Sequence, residues 1–289
     1  MELHQLMYFV TVAEEGGFTR AASRLHVAQP GVSAQVRRLE RELGQALFDR
    51  SGKTVRLTAA GEAVLPYARA ALQAVDGVRQ AVGELTGLTR GRVAIGTVTS
   101  HNVDLARILA DFHTRHPGVD VTLAEDSTDR LVEGLREGRH DVAIIAYGTL
   151  PEGLAAHVLA DEAIDAAVWL GHELADRTEI PLGALRDRKL VCLPRGSGIR
   201  AILDEACAAA GFAPKVSFEA GTPSVLGDLA ALRLGVAILP SSIARKRADL
   251  HPLRITRPAL RGRLGLAWRL AGPTSPAASA WLAHARGYL

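Results

Sequence analysis

Cysteine is scarce in this chain, and the little there is forms no recognisable motif. The 289 residues include two cysteines, Cys192 and Cys207, which make neither a CxxC pair nor a dense framework. Small secreted domains held by disulfides use many more cysteines, so the pattern excludes that class and favours a reducing cytoplasm. We expect both thiols to be small core residues.

Long apolar runs and a targeting segment are also missing. No apolar run reaches the roughly 18 residues of a membrane-spanning helix. The amino terminus, MELHQLMYFVTVAEEGG, has no basic stretch and carries Glu2, Glu14 and Glu15, unlike a secretory signal. The sequence therefore predicts a cytoplasmic protein with no membrane partner.

The charge balance is only mildly basic. A net charge of +3 and an isoelectric point near 9.1 allow a nucleic-acid partner without demonstrating one. With 289 residues, 48% of them hydrophobic, the chain is expected to form two or three domains. The positions of the cations are therefore more informative than their number.

Three short helices are predicted at the amino terminus. Their buried stripes are Leu3, Leu6, Val10 and Ala13 in the first helix, and Val32, Val36, Leu39 and Leu43 in the third. The first helix is predicted to end at Gly16-Gly17, and Thr19 to cap a second helix from Arg20 to Leu25. Pro30 suits the first turn of the third helix because its φ is fixed.

The outer face of the third helix is polar and cationic. At about 100° per residue, the side chains on or beside this face are Gln29, Pro30, Ser33, Ala34 and Arg37. Helix, helix, turn, helix with such a face is the arrangement that inserts its last helix into the DNA major groove, where Gln29 and Arg37 can reach base edges. The alternative is a solvated helix, because Glu40 and Glu42 neutralise part of the charge.

A cationic hairpin follows the third helix. The segment FDRSGKTVRL, residues 48–57, has the pattern of two very short strands joined by a Ser-Gly turn. Arg50, Lys53 and Arg56 lie on this wing, where cations can follow phosphates or enter a minor groove. Three cations on one hairpin favour double-stranded DNA as the partner.

These segments together resemble the winged helix-turn-helix of LysR-type bacterial transcriptional regulators. The similarity runs from FVTVAEEGGFTRAASRLH through QP and VRRLERELG to LFDRSGKTVRLTAAG. It implies that Gln29, Pro30 and Ser33 lie in the major groove while the wing holds the backbone. Two positions depart from the common pattern. Ala28 replaces a frequent Ser, losing a helix cap worth about 1 kcal/mol, and Ala34 replaces a longer polar residue, which weakens the expectation of a base contact there.

A long helix capped by Thr58 is predicted from Ala59 to Leu85. Its apolar stripe has the 3.5-residue period of a coiled coil and consists of Val64, Ala68, Ala71, Val75, Val78, Val82 and Leu85. The alternative is an amphipathic helix packed on its own domain. LysR-type regulators dimerise through such a linker helix, so the resemblance implies a homodimer, favours a tetramer, and predicts a roughly palindromic operator.

From Arg92 onward, short apolar runs alternate with helical segments. The predicted strands are Val93–Val98, Val119–Leu123, Val142–Ala146, Leu190–Leu193, Val216–Phe218 and Val236–Leu239, and the main predicted helices are Val103–His116, Thr128–Glu137, Ile199–Ala210 and Pro223–Leu234. The pattern indicates an α/β architecture with mainly parallel strands, possible as two sheets. In such folds, ligands bind where strands end and helices begin.

Four helix openings follow predicted strands, at Thr97–Asn102, Ser127-Thr128, Pro194–Gly198 and Thr222-Pro223. Helix amino termini suit anions, and Arg195 could pair with a carboxylate or phosphate. Because Ser and Thr are also ordinary helix caps, capping without a ligand is the alternative at each opening.

This region is similar to the effector-binding domain of the same family, which has the type 2 periplasmic-binding-protein fold. GRVAIGTVTS, EGRHDVAII, RLGVAILPSSIA and RLGLAWR carry the similarity. It implies two Rossmann-like subdomains, with the chain crossing near Ala160 and returning near Leu264. By position, the residues expected to line the cleft are Thr99, Ser100, Thr128, Tyr147, Arg195, Ser197 and Thr222. The expected effector is a small organic acid.

The combined prediction is a multidomain regulator. It comprises an all-α winged helix-turn-helix domain (1–58), a long linker helix (59–89) and an α/β effector-binding domain (90–289). Within the last, subdomain I is about 90–160 and 265–289, and subdomain II about 161–264.

Enzyme chemistry finds little support in the sequence. His113 and His116 lack a third metal ligand, and GSG at 196–198 lacks the longer signature of a nucleotide loop, so no metal or cofactor is expected. Cys207 aligns with one redox cysteine of peroxide-sensing LysR-type members, but Gly198 stands at the other position. The alternative function is a solute-binding or small-molecule enzyme domain with an unrelated amino-terminal helical extension.

Overall fold

The computed structural model describes residues 1–50, 55–84, 90–99, 103–273 and 275–288. Its first elements are α1 (Leu3–Glu15), α2 (Phe18–Arg24), α3 (Gln29–Leu43), the antiparallel strands β1 (Phe48–Asp49) and β2 (Arg56–Leu57), and α4 (Ala59–Glu84). The predicted start of α2 is wrong, since the helix begins at Phe18 with Gly17, not Thr19, at its cap. Burial of the Phe18 ring against Phe48, with centroids 5.6 Å apart, accounts for the earlier start.

One apolar core holds α1, α2, α3 and the wing together. Phe9, Val36 and Leu39 are fully buried in it, and Phe48 of β1 packs against Phe9 with ring centroids 5.4 Å apart. Helices α1 and α3 end at glycines 16 and 44, whose φ angles of 61° and 69° give sharp left-handed stops. The buried stripe of α3 faces this core, so its opposite face is left to solvent.

Helix α4 packs on the same core along its first half. Ala68 is buried there, and Val64 and Ala71 are partly buried. The first half of the predicted coiled-coil stripe is therefore used within the subunit, because its small side chains fit closely against the core. Val78, further along the stripe, is 67% exposed. The side chains of stripe residues 82 and 85 lie outside the described part.

The rest of the chain forms a mixed sheet with helices on its faces. Its elements are β3 (Arg90–Thr97), α5 (Leu105–Arg115), β4 (Gly118–Glu125), α6 (Thr128–Arg136), β5 (Val142–Tyr147), β6 (Leu154–Trp169), β7 (Glu179–Pro181), a 3-10 turn (Leu182–Leu185), β8 (Leu190–Cys192), α7 (Gly198–Ala209), β9 (Val216–Glu219), α8 (Pro223–Ala231), β10 (Val236–Pro240), α9 (Ser241–Ala244), β11 (Leu250–Thr256), β12 (Leu260–Arg269) and α10 (Pro276–Tyr288). All six predicted strands and all four predicted helices are confirmed. None of the described helices is long and apolar enough to cross a bilayer.

The strands join into one sheet rather than two. Their order is β4-β3-β5-β12-β6-β10-β8-β9, with β11 beside β6 and β7 beside β11. The pairs among β3, β4 and β5 and among β8, β9 and β10 are parallel, as predicted. The two long strands β6 and β12 are antiparallel to their neighbours and were not predicted.

Strands β6 and β12 connect two lobes, each with its own apolar core. The first lobe contains β3, β4, β5, α5, α6 and α10, and the second contains β7 to β11 with α7, α8 and α9. The ladder between β6 and β12 shifts register between Leu264 and Gly265, where their partners change from Ala160 to Val158. This irregularity coincides with the positions where the chain was expected to cross between subdomains.

Helix α4 is tied to both of its neighbours through Arg69, which is only 8% exposed. One Arg69 guanidinium nitrogen lies 3.6 Å from Glu14 Oε1 on α1, and another lies 3.4 Å from Glu137 Oε2, just after α6. One turn later, Gln73 Nε2 donates to the Gly138 carbonyl oxygen at 3.0 Å. These contacts fix α4 to the amino-terminal domain and to the first lobe together.

Candidate DNA-binding surface and effector cleft

The outer face of α3 presents the predicted DNA-facing residues to solvent. Gln29, Pro30, Ala34 and Arg37 are exposed, and Ser33 is half-buried. Ala28 occupies the cap position of α3 and makes no side-chain hydrogen bond, as predicted from its lack of a polar atom. The start of α3 is therefore an accessible surface of small and polar side chains.

Two arginines on this face are available to a polyanion. Arg37 and Arg41 are one turn apart and line an open groove with Gln45. Neither arginine has an ion-pair partner among the residues that the structure describes, whereas Arg38 pairs with Glu42 at 3.4 Å. The positive charge of Arg37 and Arg41 is thus not neutralised within the subunit, which suits contact with phosphates.

Arg50 has an internal partner that the sequence did not indicate. Its Nη2 donates to Glu40 Oε2 at 2.8 Å, and its guanidinium lies 4.7 Å from the centre of the Phe18 ring. Glu40 Oε1 also accepts the N–H groups of Leu47 and Phe48, at 2.9 and 3.2 Å. Glu40 and Arg50 therefore fix the position of the wing against α3.

The two other wing cations differ in what is known of them. Arg56 is exposed on β2. Lys53 lies outside the described residues. Among the described wing residues, Arg56 is thus the cation whose exposure suits the predicted contact with the DNA backbone.

The two lobes touch through the loops that open their helices. Thr99 Oγ1 donates to the Gly221 carbonyl oxygen at 2.7 Å, and the Asp129 N–H donates to the Gly196 carbonyl oxygen at 3.1 Å. Each bond joins a loop of the first lobe to a loop of the second. The lobes are therefore held in a closed arrangement at the predicted effector cleft.

Helix α7 of the second lobe presses on the end of β5 in the first. A Cβ on Gly198 would lie 1.8 Å from the Ala146 carbonyl oxygen, which leaves no space for a side chain there. Ser197 caps α7 by accepting the Arg200 N–H at 3.4 Å. The close approach explains in physical terms why position 198 carries glycine.

The described effector candidates do not form one surface. Thr99, Ser197 and Thr222 lie at the loops where the lobes meet, and Arg195 is exposed. Thr128 is 6% exposed and donates to the Ala146 carbonyl oxygen at 3.1 Å. Tyr147 is 5% exposed and faces Gly265 in the first-lobe core, where burial raises the pKa of its phenol. Ser100 lies outside the described residues.

A cavity that the sequence did not indicate lies beneath α7. It holds about 460 Å³ including its mouth. Its lining consists of Ala146, Ala160, Glu162, Ile164, Ile199, Ile202, Pro240, Ile243, Gly262, Arg263 and Leu264. None of the described effector candidates lines it. Alternate residues of β6, from Ala160 to Ile164, form part of its floor, a signal that would have required β6 to be recognised as a strand.

Both cysteines are buried in the second lobe, as expected from the sequence. Burial raises the pKa of the Cys192 thiol to about 12 and that of Cys207 to about 11. Thiols with such pKa values remain protonated near neutral pH and are poor nucleophiles. The two cysteines thus behave as small apolar residues of the core.

The family of the chain follows from two domain models. The model of the bacterial regulatory helix-turn-helix protein, lysR family, matches residues 3–62, and that of the LysR substrate binding domain matches residues 86–289. The chain belongs to the LysR family of transcriptional regulators. It is a DNA-binding regulator with an effector-binding domain, so the alternative of an enzyme with an unrelated extension is wrong.

Characterised relatives cover most of the chain. The transcriptional dual regulator GltC of Bacillus subtilis (strain 168) is 35% identical over 246 residues, covering 84% of this chain and 81% of GltC. The RuBisCO operon transcriptional regulator of Acidithiobacillus ferrooxidans is 32% identical over 243 residues, covering 84% and 79%.

Solved structures match the whole chain. A full-length OxyR variant from Pseudomonas aeruginosa superposes with a TM-score of 0.74 at 27% identity, covering 99% of this chain and 95% of that one. Full-length CbnR in complex with its target DNA gives a TM-score of 0.59 at 26% identity, with 100% of both chains covered.

Proposed function

We propose that α3 of this regulator enters the major groove of its operator, with Gln29, Pro30, Ser33 and Arg37 at base edges. Ala34 allows close approach, and Arg56 with Lys53 contacts the backbone from the wing. Arg50 contributes by holding the wing in place. The observation that carries the proposal is the exposed polar start of α3 beside arginines that have no ion-pair partner in the described chain.

We propose further that two copies pair through the exposed second half of α4 and that dimers associate into a tetramer. Val78 supplies apolar surface for this contact. A two-fold dimer presents two α3 helices to successive turns of the duplex, which corresponds to a roughly palindromic site. Because its partner is genomic DNA, we infer a cytoplasmic location.

The effector is proposed to be a small organic acid bound between the lobes, with subdomain I at about 90–160 and 265–289 and subdomain II at about 161–264. The amino ends of α7 and α8, with Arg195 nearby in sequence, support an anion. An effector there would alter the lobe contacts at Thr99 and Asp129. That change would reposition subunits and so change how the wings bend DNA.

Selection from a random duplex library tests the DNA proposal. We expect the full chain to enrich a roughly palindromic sequence, and Arg37→Ala to weaken binding to that sequence by about 5- to 150-fold, corresponding to about 1–3 kcal/mol. Arg130→Ala, which removes an exposed arginine on α6, is the matched control and should bind normally. Failure to enrich any sequence, or equal binding by Arg37→Ala, contradicts the proposal.

A further inference from the structure

The cavity beneath α7 has the lining of a site for a compact apolar group. Ile164, Ile199, Ile202, Ile243 and Leu264 supply most of its wall. Its volume of about 460 Å³, mouth included, is in the range of small-molecule sites, about 300–1,000 Å³. The cavity lies where α7 of the second lobe meets β6 and β12, so a ligand there would touch both lobes.

One charge in the cavity lining is not neutralised. Glu162 Oε2 accepts the Ser242 N–H at 2.9 Å, and Glu162 has no ion-pair partner within the described chain. The other charged lining residue, Arg263, is paired with Asp161 at 3.2 Å, and Arg261 shares that carboxylate. The net charge presented by the lining is therefore negative at Glu162, which favours a cationic group on a ligand.

A buried hydroxyl beside Glu162 also lacks a partner. The Oγ of Ser242 is fully buried and makes no hydrogen bond to the described residues. Buried polar atoms are nearly always hydrogen-bonded in folded proteins, because leaving one unpaired costs free energy. Together with Glu162, this hydroxyl gives one end of the site a polar character that the isoleucine walls do not have.

The remaining feature is the start of α7. Ile199, in its first turn, lines the cavity, so the amino end of this 12-residue helix borders it. Backbone N–H groups and the helix dipole at such an end favour a carboxylate. The cavity thus joins a preference for an anion, a preference for a cation and an apolar wall.

We propose that the effector of this protein is an apolar amino acid held in this cavity. Its carboxylate lies at the amino end of α7, its ammonium group lies at Glu162, and its branched or aromatic side chain lies among the isoleucines. The inference rests on the proposed small-acid effector between the lobes and specifies its class. Recognition of all three groups separates such a ligand from a simple acid or a simple amine.

Calorimetry on the full chain tests the proposal with L-leucine and two analogues. The compound 4-methylpentanoate lacks the amine, and isopentylamine lacks the carboxylate. We expect each to bind roughly tenfold or more weakly than L-leucine, because each loses one charge-assisted hydrogen bond. Glu162→Gln should abolish the preference for L-leucine over 4-methylpentanoate. Glu205→Gln, an exposed position on α7, should retain it.

A second variant guards against loss of folding in the first. Ile243→Trp fills the cavity and should abolish L-leucine binding while binding to the selected duplex persists. Equal binding of L-leucine and 4-methylpentanoate, or an unchanged preference in Glu162→Gln, overturns the inference. So does a failure of L-leucine, L-valine and L-phenylalanine to bind a protein that still binds the selected duplex. Failure to select any duplex would instead count against the proposed function.

Discussion

Two arginines that resemble each other in sequence have different environments in the fold. Arg37 is exposed with no described ion-pair partner, whereas Arg50 is held by Glu40 and stacks on Phe18. The sequence places both on a cationic surface. It could not distinguish them, because the partner of Arg50 is brought close only when the wing folds back on α3.

Replacement of Arg50 by Met is expected to lower the free energy of unfolding by about 1–2 kcal/mol, since an ion pair and a ring contact are lost. Arg37→Ala should change it by less than about 0.5 kcal/mol, as expected for an exposed side chain. Urea denaturation of both variants measures the difference. Equal losses would mean that the Glu40 contact does not position the wing.

His140 makes the stability of the first lobe sensitive to acid. Its ring packs against Gly134 and Gly96, and burial lowers the pKa of its imidazole below 6.5. Arg139 lowers this pKa further, and Asp126 opposes the shift. The unfolded chain therefore binds the proton more tightly, so stability is complete above pH 6.5 and is lost as the pH falls through the folded pKa.

His140→Gln should reduce the loss of thermal stability between about pH 7 and pH 5, because glutamine does not titrate there. The measurement is the melting temperature of both proteins across that range. His113→Gln, at an exposed position on α5, serves as the control. If the two variants and the parent lose stability in parallel, burial of His140 does not govern the acid response.

Six strands could be predicted and two long ones could not, for a reason visible in their sequences. Val142 to Ala146 is a continuous apolar run that can only be a buried strand or helix. Strand β6, LAAHVLADEAIDAAVW, is rich in alanine and mixes buried and exposed positions irregularly. Its strand conformation depends on pairing with β12 about 100 residues later, which no local pattern reports.

Arg69→Met is expected to lower the free energy of unfolding by about 1–2 kcal/mol, because Glu14 and Glu137 lose a shared cation. Hydrogen exchange should rise at the end of α1 and in the turn after α6 together. The exposed α5 pair offers the comparison: Arg115→Met should cost at most about 0.5 kcal/mol. A cost for Arg69→Met no greater than that would show that the contact does not hold α4.

The exposed half of α4 allows a test of subunit pairing. Val78→Glu should weaken self-association roughly tenfold or more, since it places a charge on the proposed apolar contact. Sedimentation equilibrium measures the association constant. Tyr67→Glu alters a side chain that is 78% exposed on α4 but lies off the stripe, and it should associate normally. Loss of association in both variants, or in neither, would exclude pairing through this stripe.

The position of the cleft was predictable, but its contents were not. The helix openings at Thr99, Ser197 and Thr222 do lie where the lobes meet, because carboxyl ends of parallel strands share one edge. Thr128 and Tyr147 are turned inward by contacts with Ala146 and Gly265. Those contacts depend on the sheet partners of β5, which become known only with the topology.

Gly198→Ala should force the lobes apart. Its Cβ would lie 1.8 Å from the Ala146 carbonyl oxygen, so α7 must move away from β5. Overpacking of this kind costs about 1–3 kcal/mol of stability. Gly183→Ala, which meets no atom within 4 Å, is the control. Small-angle scattering should show a larger radius of gyration for Gly198→Ala only, and an unchanged radius would mean that the lobes tolerate the side chain.

Arg69 and Gln73 have a consequence for how a signal leaves the subunit. They bind α4 to the first lobe, so the DNA-reading helix, the linker and that lobe travel together as one body. Only the second lobe is free to swing, by flexing the two strands that join it to the rest. A solitary subunit would then bind its effector without altering its hold on DNA. The message must pass through whatever the swinging lobe pushes against, and that is a neighbouring copy.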